Sequence, residues 1–160
     1  MKIIVTGGKS AQAFKMFKAF KDDELVMADY GEMPASFSKF NFFSLGERNN
    51  DTIAHNLLNA CLDQEANSLL PLHDFEVEAV AKSAQLFEEF NIHVLLPDAA
   101  DLPQLFIKDF APSYHWAVYN KGELLYTSQP WVPTTKLMLS GAFYIRETPK
   151  GVTTALFTIS

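Results

Sequence analysis

Apolar positions follow two rhythms along this chain. Up to Pro97, short runs of consecutive apolar residues alternate with longer stretches in which apolar residues recur every three or four positions. Ile3-Ile4-Val5 is a β-branched run, the pattern of a strand covered on both faces. Ser10 is placed to cap a helix carrying Phe14, Phe17 and Phe20 at a spacing of three, with Ala13 and Met16 beside them. Leu25-Val26-Met27-Ala28 predicts a second strand, ended by Asp29-Tyr30-Gly31, and Phe40, Phe42 and Phe43 predict a short third. Asn50 or Asp51 stands to cap a helix with Ile53, Leu57, Leu58, Cys61 and Leu62 on one face. Ser68-Leu69-Leu70-Pro71 reads as a strand end, and Asp74 as the cap of a helix turning Val77, Val80, Ala81, Ala84 and Phe87 inward. Ile92 to Leu96 is a further strand, stopped by Pro97. Strands alternating with helices imply parallel β-α-β units with right-handed crossovers.

After Pro97 the rhythm changes. Asp101 to Phe110 predicts a short helix with Pro103 near its first turn. His115–Tyr119 and Glu123–Thr127 flank Asn120-Lys121-Gly122, a hairpin with its turn glycine in place. Lys136–Leu139, Ala142–Arg146 and Val152–Ile159 follow, punctuated by Ser140-Gly141 and Pro149-Lys150-Gly151. The expected fold is α/β. A Rossmann-like three-layer domain over residues 1–112 has a mostly parallel sheet of strand order 3-2-1-4, and residues 113–160 form a small antiparallel β appendage.

Charge and composition sharpen that division. Residues 1–112 hold 17 acids against 9 Lys and Arg, whereas residues 113–160 hold only Glu123 and Glu147 against Lys121, Lys136, Arg146 and Lys150. A net charge of -6 argues against nonspecific nucleic-acid binding. At 48% hydrophobic and 20% charged the chain has enough apolar side chain for a substantial core. The single Cys61 allows neither an intramolecular disulfide nor a cysteine zinc cluster. Lys2 is followed by only three apolar residues before Thr6-Gly7-Gly8, so no secretory signal is expected. No stretch reaches the roughly 18–20 apolar residues that span a bilayer, and a cytoplasmic protein is expected.

Two places offer chemistry. Gly7, Gly8, Lys9 and Ser10 could present backbone N–H groups to a phosphate, and Asp29 ends the second strand where dinucleotide domains carry a ribose-binding acid. The third glycine of G-x-G-x-x-G is missing, with Gln12 and Ala13 in that region, and the Walker spacing fails as well. Gly7 and Gly8 equally suit a plain tight strand-to-helix turn. His73 and Asp74 follow a strand end and so lie at the carboxyl edge of the sheet, where ligands collect. The alternative there is helix capping by Asp74 with His73 a neighbour. His55, His93 and His115 have no partners at metal-ligand spacing, so no metal is expected. Cys61, on an apolar helix face, suits an inert core thiol. The Phe37, Phe40, Phe42 and Phe43 cluster reads either as a recognition loop or as cover for a sheet edge. Trp116, Tyr119, Tyr126, Trp131, Phe143 and Tyr144 are numerous for the tail, and their surplus suggests a partner surface.

Lys2-Ile3-Ile4-Val5-Thr6-Gly7-Gly8, Val26-Met27-Ala28-Asp29, Ser36-Phe37-Ser38-Lys39-Phe40, the helix at Asp51–Asp63 and Leu69-Leu70-Pro71-Leu72-His73-Asp74-Phe75-Glu76 occur in an order that carries a resemblance. Residues 1–97, about 60% of the chain, resemble the N-terminal preATP-grasp domain of carbamoyl-phosphate-synthase-like ATP-grasp proteins. The last piece is similar to that family's strand end of type IP-x-x-E. The family's following region binds ATP with lysines and holds magnesium on clustered acids and an Asn. Here residues 113–160 offer Glu123, Glu147 and an Asn120 in a turn, and the tail is read as an ATP-grasp remnant. The resemblance therefore implies a non-catalytic, ATP-grasp-derived binding or assembly module without a cofactor. It would be a homo-oligomer, most simply a dimer, or would join a separate ligase-type protein through its aromatic C-terminal strands. The alternative is a small-molecule-binding protein or enzyme in which Gly7, Gly8, Lys9 and Ser10 meet an anionic group and Asp29, His73 and Asp74 line the cleft.

Overall fold

Ile3, Ile4 and Val5 are fully buried, as a strand needs when both its faces are covered. The computed structural model describes residues 1–35, 41–107, 115–128, 138–149 and 151–159. In it β1 (Lys2–Val5) is the centre of a five-stranded parallel sheet with β2 (Glu24–Asp29), β3 (Asn41–Ser44), β4 (Ser68–Leu70) and β5 (His93–Val94), in the order β3-β2-β1-β4-β5. Val5 lies opposite Met27 on one side and Leu70 on the other. The expected order 3-2-1-4 is present, with a fifth strand beyond β4. A second sheet of β6 (His115–Asn120), β7 (Glu123–Thr127), β8 (Gly141–Thr148) and β9 (Gly151–Leu156) is antiparallel, in the order β7-β6-β8-β9.

Alternate residues of each strand point to opposite faces, and this joins the two sheets. Ile4, Val26, Leu69 and Val94 share one hydrophobic cluster with Ala117, Tyr119, Phe143 and Ile145. Their neighbours Ile3, Met27, Leu70 and Leu95 share another with Trp116, Val118, Ala142 and Tyr144. Residues on either side of position 113 therefore fill the same two cores. The first cluster is covered by α3 (Ile53–Asp63), α4 (Asp74–Lys82), α5 (Ala84–Glu89) and α6 (Leu102–Leu105); the second by α1 (Ala11–Phe14) and α2 (Met16–Ala19). Among the described residues, no helix is long and apolar enough to cross a membrane.

Several local expectations are corrected. The first helix breaks at Lys15 and buries Ala13, Met16 and Phe20, leaving Phe14 and Phe17 half-buried with their rings stacked. α3 begins after Thr52 rather than at Asn50 or Asp51, and Leu62 faces outward while Ala60 takes its place inside. The long helix after β4 is divided at Ser83. Leu139 lies outside any strand. Trp116, Tyr119, Phe143 and Tyr144 are core residues and Tyr126 is half-buried, because strand alternation turns them into the shared clusters. Phe37, Phe40, Trp131 and Lys136 lie outside the described residues. Cys61 is fully buried, and burial pushes its thiol up to about 12, which leaves no thiolate for chemistry.

Candidate functional site at the carboxyl edge of the parallel sheet

The chain leaves β1 through a turn that only glycine can make. Gly7 has φ +73°, in the left-handed region. A Cβ on Gly8 would lie 2.8 Å from the Met27 carbonyl carbon and 2.9 Å from the Ala28 nitrogen, so the backbone crosses β2 at contact distance. The donors of this turn face inward. Gly8 N–H donates to the Ala28 carbonyl at 2.9 Å, Lys9 N–H to Asp29 Oδ2 at 3.1 Å, and Ser10 N–H to the Gly7 carbonyl at 2.9 Å. Ser10 caps α1 as expected, its Oγ accepting from Gln12 N–H at 3.2 Å, but that helix is only four residues long. Ile159 lies over the turn: a Cβ on Gly7 would be 2.7 Å from Ile159 Cδ1. Ile159 forms a parallel bridge with His73, donating its N–H to the Leu72 carbonyl and accepting from Asp74 N–H.

Behind the turn lies a polar network. Asp29 Oδ1 accepts from Tyr30 N–H at 2.8 Å and pairs with His73 Nε2 at 2.8 Å. Glu76, fully buried, accepts from Thr6 Oγ1 at 2.5 Å and His73 N–H at 3.2 Å on one oxygen, and from the Tyr30 hydroxyl at 2.7 Å on the other. Thr6 Oγ1 in turn accepts from Leu72 N–H at 2.7 Å. Three adjacent strand ends are thereby tied to the first turn of α4.

Burial pushes the Glu76 carboxyl above its usual range, and the Thr6 and Tyr30 hydroxyls offset this only in part. For Asp29, burial acts upward but is outweighed by the His73 hydrogen bond and the Tyr30 and Lys9 N–H groups, which hold the carboxyl below its ordinary 3.8. For His73, burial acts downward but the Asp29 hydrogen bond and the charges of Glu76, Asp29 and Asp74 raise it above 6.5. Burial and the neighbouring Glu76 raise the Tyr30 phenol.

These shifts fix the sign of a pH effect. A raised His73 contributes stability that is complete below 6.5 and lost as pH rises through its folded value; a lowered Asp29 contributes above 3.8 and is lost as pH falls. The pair is therefore most stabilising between 3.8 and 6.5. Urea unfolding of wild type and His73→Gln should show a larger stability gap at about pH 5.5 than at about pH 8.5. An equal gap at both would contradict the ion pair.

At the rim, the His73 ring stacks on Phe75 with centroids 4.9 Å apart, Tyr30 leans on both, and the Arg48 guanidinium sits 3.5 Å above the Phe75 ring. Arg48 Nε donates to Asn50 Oδ1, and among the described residues it makes no ion pair with a carboxylate. The structure thus brings together Gly7, Gly8, Lys9, Asp29 and His73 from the sequence-based set. Ser10 is occupied with capping. Asp74 is corrected from cap to first-turn residue: His73 holds the cap position, and Glu76 reaches back to its N–H in the spacing of a capping box. Tyr30, Arg48 and Ile159 carried no motif in the sequence, and Thr6 stood only within the strand-to-turn motif, without a role for its side chain. Among the described residues, no group of three or more His, Cys, Asp or Glu side chains is placed to hold a metal ion.

No protein-family model matches the chain, and no curated protein matches it. Among solved structures it is similar to the dTDP-glucose 4,6-dehydratase of Bacillus anthracis in complex with NAD, at 10% identity and a TM-score of 0.39. The similarity covers 81% of this chain and 45% of that one, so the chain spans less than half of its length.

Proposed function

We propose that this chain is a non-catalytic binding or assembly module of the cytoplasm, descended from a preATP-grasp domain. One observation supports it above the others. At the edge where α/β proteins collect ligands, the turn donors, both Asp29 oxygens, His73 Nε2 and both Glu76 oxygens are engaged within the chain, and Ile159 covers Gly7. Such an edge holds strands together instead of holding a phosphate. The parallel-strand order is compatible with the proposed descent. The partner is a second copy or a separate ligase-type protein. It would meet the C-terminal strands at β7, which among the described residues is the outermost strand of the second sheet and carries the half-buried Leu124, Leu125 and Tyr126. Light scattering across a concentration series should show a dimer, or purification from the native cell should bring down a ligase-type protein. A strict monomer with no copurifying partner would remove this reading. The purified chain should release no phosphate from ATP with magnesium, since phosphoryl transfer depends on positioned cations; magnesium-dependent release abolished by Glu123→Gln or Glu147→Gln would count against it.

One observation favours a second reading, a small anionic ligand at the same edge. Arg48 and Lys9 both flank the Tyr30, His73 and Phe75 surface: Arg48 lies over Phe75, and Lys9 Nζ is 3.4 Å from where a Gly31 Cβ would stand. Thermal shifts with ATP, NAD, inorganic phosphate and citrate test it, because a ligand at 100 times its dissociation constant stabilises by about 2.7 kcal/mol. A flat response, or a shift unchanged in Asp29→Ala and His73→Ala, would remove it.

A further inference from the structure

A second concavity shares no residue with the carboxyl-edge network. It runs along β5, the outermost strand of the parallel sheet, and encloses about 350 Å³ between that strand, the helices α4 and α5, and the β6–β7 hairpin. Its apolar wall is built from Ala81, Ala84, Val94, Leu96 and Pro97. The volume is at the small end of ligand sites, too small for a dinucleotide and suited to a molecule the size of one residue.

The polar groups around it carry both signs. His93 Nδ1 lies 3.0 Å from Glu88 Oε1. Asp98 precedes the short 3-10 turn Ala99–Asp101 without capping it by a side-chain bond, so its carboxylate is not committed there. Opposite in character are Lys121, whose ammonium has no carboxylate within ion-pair distance among the described residues, and the buried Ser140. Ser140 Oγ accepts from Lys121 N–H at 2.8 Å and keeps its own hydrogen to donate.

From this juxtaposition we infer a binding site for a small zwitterion, a free α-amino acid with an aliphatic side chain. Its ammonium meets Asp98, its carboxylate meets Lys121 and Ser140, and its side chain lies on the alanine and leucine wall. A simple anion would face Glu88 and Asp98, and a simple amine would face Lys121; only a molecule with both charges satisfies the rim.

The test is calorimetry and thermal shift on the full chain with L-leucine, isoamylamine and 4-methylpentanoate. Leucine should bind and stabilise, and the two half-molecules should not. Lys121→Asn, chosen because Asn tolerates the φ of 49° at that turn, and Asp98→Asn should each weaken leucine binding at least about tenfold. His73→Gln, at the other site, should leave it unchanged. The proposal is overturned if no common amino acid binds, if isoamylamine or 4-methylpentanoate binds as well as leucine, or if both rim variants bind leucine like wild type.

Discussion

Gly8→Ala is expected to cost roughly 3 kcal/mol, a large share of the stability of a domain this size. The added carbon would meet the backbone of Met27 and Ala28 in β2, a strand hydrogen-bonded on both sides that cannot step back. Gly7→Ala should cost less, although Gly7 alone of the two has a left-handed φ. Its penalty is about 1–2 kcal/mol for that conformation plus a contact with the tip of one flexible side chain, Ile159. Ile159→Ala should relieve that contact, so the pair Gly7→Ala and Ile159→Ala will be non-additive in urea unfolding. A Gly8→Ala protein as stable as wild type, or an additive pair, would show that the turn is looser than the close approaches imply.

The second large effect belongs to Glu76. Glu76→Ala removes the acceptor for Thr6 Oγ1, the Tyr30 hydroxyl and His73 N–H together. Leaving such donors unpaired should destabilise by roughly 3–5 kcal/mol. Glu76→Gln keeps the volume and one acceptor oxygen and should cost far less. It also removes a titration. Because the folded carboxyl titrates above its ordinary 4.5, its ionisation opposes folding, and stability erodes as pH rises from 4.5 through the folded value. Denaturation midpoints followed upward from pH 4.5 should therefore fall less steeply for Glu76→Gln than for wild type. Identical slopes would place the Glu76 charge in solvent, contrary to its burial.

The parallel sheet was legible because Ile3-Ile4-Val5 and Leu25–Ala28 are unbroken apolar runs that fit nothing but covered strands. Gly7-Gly8 was legible as a turn and not as a closed one. Whether backbone donors face outward depends on how Ala28 and Asp29 lie beneath them, and that follows from strand pairing, not from spacing. Asp29 stood out at the end of β2, but its bond to His73, 44 positions away, exists only because β1 sits between β2 and β4. Asp74 was mistaken for a cap on propensity. Ile159 takes its N–H and Glu76 reaches back to His73, so the helix begins one residue earlier than a cap at Asp74 would set it. The aromatic tail misled for a related reason. Composition records how many rings there are, while strand alternation decides which cluster receives Trp116, Tyr119, Phe143 and Tyr144.

The pairing of Ile159 with His73 and its seat on Gly7 also bear on how the protein is born. β1 and its turn leave the ribosome well before the side chain that covers the turn, which follows some 150 residues later. Through most of synthesis the growing chain holds a half-made sheet whose Leu70 and Leu95 await Trp116 and Tyr144. Such distant contacts delay closure and leave apolar surface open meanwhile. Nascent chains halted before residue 115, where β6 begins, should therefore recruit chaperones.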